Sequence, residues 1–372
     1  MQVYNSLKTK AVMLSIFTIL SSCMSFKYAF VSPGMVTKEE LQNHNTFFTE
    51  VSNELSTERK ETFETIGHGA GSWRYYPMGI NKDGRVYGNG YKHKKTKAKD
   101  LIDLIETSID IDPKMSIELD AQYAPDTHRI SLTYPEDGAY ILHDIPDWKD
   151  KATENDSALS YLHRNTLKIA LDHFVKKKYY KQTKVYVELK VTEDCVHLEN
   201  QLIDCNKQCQ KLAKELITYA SSCQRETKEN WLCVTSFSPA ALTDFRNSLP
   251  TADRDKFDYV LIAGYTGGWP KSKLAQSKGH VPEFDDRMIS FAKNTEWLNC
   301  IWFSAQGITK FNTIFNTLVK ERHQDHPNWN ALEFSFSTYQ WKAKKMKRKL
   351  TKCPKLEVPI RSFMLDLDYR ID

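Results

Sequence analysis

The sequence predicts a parallel (β/α)8 barrel of the TIM type with a hairpin arm after its second strand, on three observations. Eight short runs rich in β-branched and aromatic residues recur along the chain, helical stretches separate them, and one further strand-like run follows strand two too closely for a crossover helix. The 372 residues, 41% apolar and 12% aromatic, suffice to bury one large core or two modest ones.

The eight runs span Thr62 to His68, Met115 to Ala121, Lys184 to Val191, Trp231 to Phe237, Asp258 to Gly264, Asn299 to Ala305, Leu332 to Thr338 and Ile360 to Asp366. Helical periodicity appears between them, as in Leu101, Leu104, Ile105 and Ile109, or Leu167, Leu171, Phe174 and Val175. The extra run, Ala139 to His143, is separated from strand two only by a turn-rich segment with Pro125, Asp126, Pro135 and Gly138. It therefore reads as an arm rising from strand two. In such a barrel the chemistry belongs at the C-terminal ends of the strands.

At the N-terminus, Lys8 and Lys10 precede an apolar run from Ala11 to Leu20 that is too short for a permanent membrane span and right for a signal-peptide core. Leu20-Ser21-Ser22-Cys23 follows at once and resembles a bacterial lipobox, which implies removal of residues 1–22 and lipidation of Cys23. The expected organisation is a lipidated tether over 23–60 and a barrel over 61–372, exported and held by its lipid to a membrane of the bacterial cell envelope. In a cell with two membranes, the resemblance with Met24 after the cysteine implies outer-membrane sorting. A net charge of +5 makes no case for nucleic acid as a partner. The bunched lysines from Lys342 to Lys355 read as a solvated helix face or as a patch for anionic lipid headgroups.

Export permits disulfides. Cys195, Cys205, Cys209 and Cys223 cluster around one predicted helix and their spacing allows two bridges of open connectivity, whereas Cys233 and Cys300 sit in strand-like runs and read as buried thiols. A zinc site is the rival use of the four, but they contain no CxxC pair.

Glu118 and Asp120 lie two apart in a strand, so both carboxylates share one face while Ile117 and Leu119 take the other. Carboxylates crowded in a low-dielectric interior repel one another unless a cation offsets the cost. Glu188 and Lys190 share a face of strand three and add a third oxygen ligand and a fixed positive charge. An all-oxygen set of this kind favours Mg2+ or Ca2+. His68 stands at the end of strand one in Ile66-Gly67-His68-Gly69-Ala70-Gly71, and His143 at the end of the arm before Asp144. Two histidines beside a phosphate supply an acid and a base near neutral pH.

Gly-His-Gly on strand one, Glu-Leu-Asp on strand two, His-Asp soon after and Val-Glu-Leu-Lys on strand three, with Thr235-Ser236-Phe237-Ser238 on strand four, together resemble the glycerophosphodiester phosphodiesterase family, a branch of the phospholipase-C-like barrels. The resemblance covers most of residues 62–240, and the rest matches by strand rhythm. It implies that Glu118, Asp120 and Glu188 bind a divalent metal, that His68 and His143 are the acid-base pair, and that Lys190 holds the phosphate. It implies hydrolysis of glycerophosphodiesters to an alcohol and glycerol phosphate through a cyclic phosphate. The family's arginine after the first histidine is replaced by Gly69, its glutamate-asparagine-threonine motif is not recognisable, and Arg74 is the candidate replacement cation. Longer gaps around Glu118 imply loops over the site, in which Trp73, Tyr75, Tyr76 and Tyr123 would narrow the entrance or simply cover the top. Two alternatives follow: a phospholipase D-like or phosphatidylinositol-specific lipase of the same superfamily, and a catalytically decayed surface-binding lipoprotein.

Overall fold

The computed structural model describes residues 64–71, 75–88, 96–124, 129–130, 138–146, 148, 150–190, 202–227, 229–263, 286–303, 327–339 and 360–366. In chain order the elements are β1 (Glu64–Gly67), β2 (Pro77–Ile80), β3 (Val86–Gly88), α1 (Leu101–Ile111), β4 (Ser116–Gln122), β5 (Tyr140–Ile141), α2 (Asp156–Arg164), α3 (Leu167–Lys176), β6 (Val185–Leu189), α4 (Leu202–Ser222), β7 (Leu232–Ser236), α5 (Pro239–Ser248), β8 (Asp258–Ala263), α6 (Asp286–Asn294), β9 (Cys300–Phe303), α7 (Pro327–Ala331), β10 (Glu333–Tyr339) and β11 (Ile360–Asp366).

Eight of these strands match the eight runs expected from sequence, with boundaries that differ by at most two residues. They pair in the order β1, β4, β6, β7, β8, β9, β10, β11, all parallel, and β11 pairs back to β1, so the sheet closes into a barrel. Strands buried on both faces read as near-continuous apolar runs. Alternate residues serve two different cores. Ile117, Leu119, Val187, Val234, Leu261 and Ile301 pack outward against Leu104, Ile105, Leu171, Phe174 and Phe245 of the surrounding helices. Ile66, Tyr186, Cys233, Val260, Ile262, Cys300 and Trp302 fill the lumen.

The helices start where their caps allow. Thr166 accepts from the Ile169 N–H ahead of α3, and Ser238 accepts from the Ala241 N–H ahead of α5, whose first residue is Pro239. The floor of the barrel, at the N-terminal end of the strands, is charged. Arg361 of β11 pairs with Asp258 of β8 and, at 3.4 Å, with Glu333 of β10, while Asn230 donates to Asp258 at 2.9 Å.

Between β1 and α1 lies a small antiparallel hairpin, β2 with β3, that the sequence reading placed in a loop. The two residues of β5 pair antiparallel with Ala121 and Gln122 at the end of β4. The disulfide expectation needs correction. Cys209 and Cys223 are buried free thiols on or just beyond α4, and four helical turns, about 20 Å, separate them. Both serve the apolar packing under that helix. Cys195, the side chain of Cys205, Cys23, Arg74, Trp73 and the lysine-rich segment lie outside the described residues. Among those described, no helix is long and apolar enough to cross a membrane.

Candidate functional site

The backbone at the end of β1 makes a tight turn. Gly69, Ala70 and Gly71 all have positive φ (60°, 53° and 80°), a region that disfavours a Cβ. The turn sends the Gly69 N–H to Glu118 Oε2 at 3.0 Å and the Ala70 N–H to the Glu118 carbonyl at 2.9 Å. At Gly71, a Cβ would stand 2.2 Å from Ser108 Oγ, whose hydroxyl donates to the Ala70 carbonyl. The glycine found where the resemblance leads one to expect arginine is thus a backbone ligand of the neighbouring carboxylate.

Register then sets the acids side by side. Asp120 of β4 is the direct partner of Glu188 on β6. Glu118, Asp120 and Glu188 each offer an oxygen, and these oxygens lie within 4.8 Å of one another, all three residues being buried. Lys190, at the end of β6, reaches Asp120 Oδ1 at 2.9 Å and Glu188 Oε1 at 2.7 Å. Three buried carboxylates thus face one ammonium. Glu118 Oε1 and Asp120 Oδ2 have no hydrogen-bond partner among the described residues.

The titration of the cluster follows from this geometry. Burial, together with Asp120 and Glu188, pushes the Glu118 carboxyl well above the ordinary range, against the pull of His68 and the Gly69 amide. Burial would raise Asp120 as well, but Lys190, His143 and His68 hold it down at about 2. Glu188 is raised by burial and by Asp120 despite Lys190. Burial opposes the charge on Lys190, but Asp120 and Glu188 outweigh it and raise its pKa. Two carboxylate oxygens without partners and an excess of buried negative charge are the environment a divalent cation satisfies, so the donor set fits Mg2+ or Ca2+.

The histidines stand beside this cluster. Their ring centroids are 6.3 Å apart at 70° to one another. His68 Nε2 lies 3.8 Å from Glu118 Oε2. His143 is held from several sides: its N–H donates to the Pro77 carbonyl at 2.9 Å, and its Nδ1 lies 2.9 Å from Asp144 Oδ1. A carboxylate only accepts, so Nδ1 carries the proton of that bond and, in the neutral ring, Nε2 is the basic nitrogen. Asp144 is fixed in turn by its own N–H to the Met78 carbonyl at 2.7 Å and by the Tyr87 hydroxyl at 3.4 Å. The β2/β3 hairpin is therefore the clamp on His143. No family model and no curated protein matches this chain.

His68, Glu118, Asp120, His143, Glu188 and Lys190 thus come together at one end of the barrel. Two aromatics expected at the entrance are supports instead. Tyr76 is fully buried and its hydroxyl accepts from the Asp120 N–H at 2.7 Å. Tyr123 donates to Glu215 of α4, whose carboxylate also accepts from the Ala139 N–H at 3.0 Å, joining the end of β4 to the start of β5. Asp144 and Glu215 were missed as site residues. The His143-Asp144 dipeptide was the one sequence signal for either of them.

Proposed function

We propose that this chain is a divalent-metal-dependent phosphodiesterase that cleaves glycerophosphodiesters to an alcohol and glycerol phosphate. The observation that carries the reading is the joint placement of three buried carboxylates, two of them with an oxygen unpartnered among the described residues, and two histidines 6.3 Å apart at the C-terminal end of a parallel barrel. Glu118, Asp120 and Glu188 would hold the cation, which supplies neutralisation of charge on the phosphoryl oxygens. The motif order on strands one to three supports the same class.

One histidine takes the proton of the hydroxyl next to the diester, and that oxygen forms the new bond to phosphorus as the bond to the leaving alcohol breaks. The other histidine gives its proton to the departing oxygen. A cyclic phosphate results, and the pair acts in reverse roles when water opens it. Asp144 keeps His143 in the tautomer that can accept at Nε2. Lys190 stands next to the carboxylates as a fixed positive charge for the phosphate. We also propose attachment to a cell-envelope membrane through lipidated Cys23, so that the substrates are phosphodiesters derived from phospholipids.

The test is hydrolysis of glycerophosphocholine with Mg2+, Ca2+ or chelator, alongside sphingomyelin, lysolipids and phosphatidylinositol, with His68→Ala and His143→Ala as controls. Metal-dependent release of choline that falls about 100- to 10,000-fold in either variant supports the reading. Absence of turnover on the deacylated diester, or turnover unaffected by chelation, removes it.

A further inference from the structure

Two polar atoms deeper in the lumen have no partner among the described residues: the hydroxyl of Thr235 and the indole N–H of Trp302. Both residues are buried, at 0% and 1% exposure. Thr235 alternates with Val234, which faces the helices, and Trp302 belongs to the lumen cluster, its ring edge-on to Tyr186 at 6.2 Å.

The strands of a barrel tilt, so side chains at one height come from alternate strands. The direct partners are Glu118 with Tyr186, Glu188 with Thr235 and Ile262 with Trp302, and the circuit closes through Ile66 with Ser116. Each step to the next strand lowers the paired residue by one position. Glu118, Thr235 and Trp302, from β4, β7 and β9, therefore share one layer. It lies immediately below the layer that holds Glu188.

This layer offers a mixed set of hydrogen-bonding groups. An indole N–H only donates, a hydroxyl does both, and the unpartnered oxygen of Glu118 accepts, with a lone pair to spare if it also ligates a cation. A phosphoryl oxygen cannot donate and would meet the Glu118 carboxylate. An alcohol hydroxyl matches this set in kind, since it can accept from Trp302 or Thr235 and donate to Glu118. We propose that Thr235 and Trp302 are specificity-determining residues, forming with Glu118 a subsite below Glu188 that takes a hydroxyl of the substrate's glycerol arm. The proposal rests on the phosphodiesterase reading and adds the group by which the substrate is chosen.

The test uses the protein labelled with 15N-tryptophan in the presence of Mg2+ or Ca2+. The Trp302 indole signal is assigned by its loss in Trp302→Phe. Glycerol 3-phosphate and methyl phosphate are the probes, since they share the phosphate and differ in the hydroxyls. The expected result is that glycerol 3-phosphate moves the Trp302 signal and methyl phosphate does not. Thr235→Val, a change of similar shape, weakens glycerol 3-phosphate about tenfold and leaves methyl phosphate unaltered. An indole signal that glycerol 3-phosphate leaves in place, or that both probes move alike, overturns the subsite. So does unchanged affinity in Thr235→Val, which would mean that the layer holds a buried water only. Metal-dependent turnover of glycerophosphocholine with any of these results removes the subsite and keeps the enzyme; selective hydroxyl binding without turnover does the reverse.

Discussion

Replacing Glu118 by glutamine isolates the electrostatic argument for a cation. The amide is nearly isosteric and its oxygen can still accept the Gly69 N–H, which the carboxylate takes at 3.0 Å. What disappears is one of three negative charges whose oxygens lie within 4.8 Å. Like charges at that separation repel by roughly 3 kcal/mol at an effective dielectric constant of about 20. Proton uptake limits the penalty, because the folded Glu118 carboxyl is raised well above its ordinary range. A raised carboxyl costs the metal-free fold nothing below the unfolded pKa, and the cost grows as pH climbs from there to the folded value. At pH 8 the metal-free variant is therefore expected to be at least as stable as the parent, and by up to about 2 kcal/mol more stable. The parent gains about 2.7 kcal/mol at a cation concentration one hundredfold above Kd, a rise in Tm of about 5 °C for a chain of this size. The variant gains little of it. Thermal melts at pH 6 and 8, with chelator and with Ca2+ or Mg2+, read the stability difference and the cation-dependent gain of each protein. A variant that keeps the full cation-dependent rise, or that is more than about 2 kcal/mol less stable than the parent in chelator, refutes the reasoning.

Asp144→Asn leaves the fold intact, as judged by circular dichroism, and lowers kcat/KM by about tenfold or more, because the amide no longer selects the Nδ1–H tautomer. Equal kcat/KM in variant and parent would show that the hairpin clamp alone orients the ring. Asp258→Ala leaves the buried Arg361 guanidinium with Glu333 as its one described carboxylate partner, and urea unfolding at pH 7 should show a loss of about 3 kcal/mol. Although burial opposes it, Arg361 with Lys184 and Asn230 holds the Asp258 carboxyl below its ordinary value. Its contribution is therefore full above the unfolded aspartate pKa and is lost as pH falls through the lower folded one, a loss that Asp258→Ala should no longer show in acid titration. Gly69→Arg, the residue the family resemblance leads one to expect, should cost about 1–2 kcal/mol in chemical denaturation, because the backbone there has φ of 60°. A neutral or stabilising result would mean that the turn relaxes freely.

The strands were legible because a parallel barrel buries both faces of each strand, and runs such as Val185-Tyr186-Val187-Glu188-Leu189 have no other economical use. The acids were legible for the opposite reason: Glu118 and Asp120 interrupt such a run at a spacing of two, which buries both. The β2/β3 hairpin escaped notice because Pro77-Met78-Gly79-Ile80 and Val86-Tyr87-Gly88 are short, and proline and glycine are both poor strand signals. The cysteines misled through counting by spacing alone. Cys209 and Cys223 are near neighbours in sequence, but a helix carries them about 20 Å apart.

Gly69 reads differently as a motif position and as a piece of backbone. In a motif, glycine in place of arginine reads as a missing cation and hence as a decayed site. In the structure, three successive residues of positive φ turn an N–H toward Glu118, a conformation that a long β-carbon-bearing side chain at position 69 would oppose. The turn also has its own support in the Ser108 hydroxyl, donated to the Ala70 carbonyl from a position that leaves no room for a Cβ at Gly71. Under the proposed phosphodiesterase reading, arginine and this turn are alternative solutions at one corner: the first would bring a charge to the phosphate, the second fixes the carboxylate proposed to hold the metal. The charge would then come from elsewhere, and Lys190, within 2.9 Å of two of the three acids, is a described residue placed to supply it.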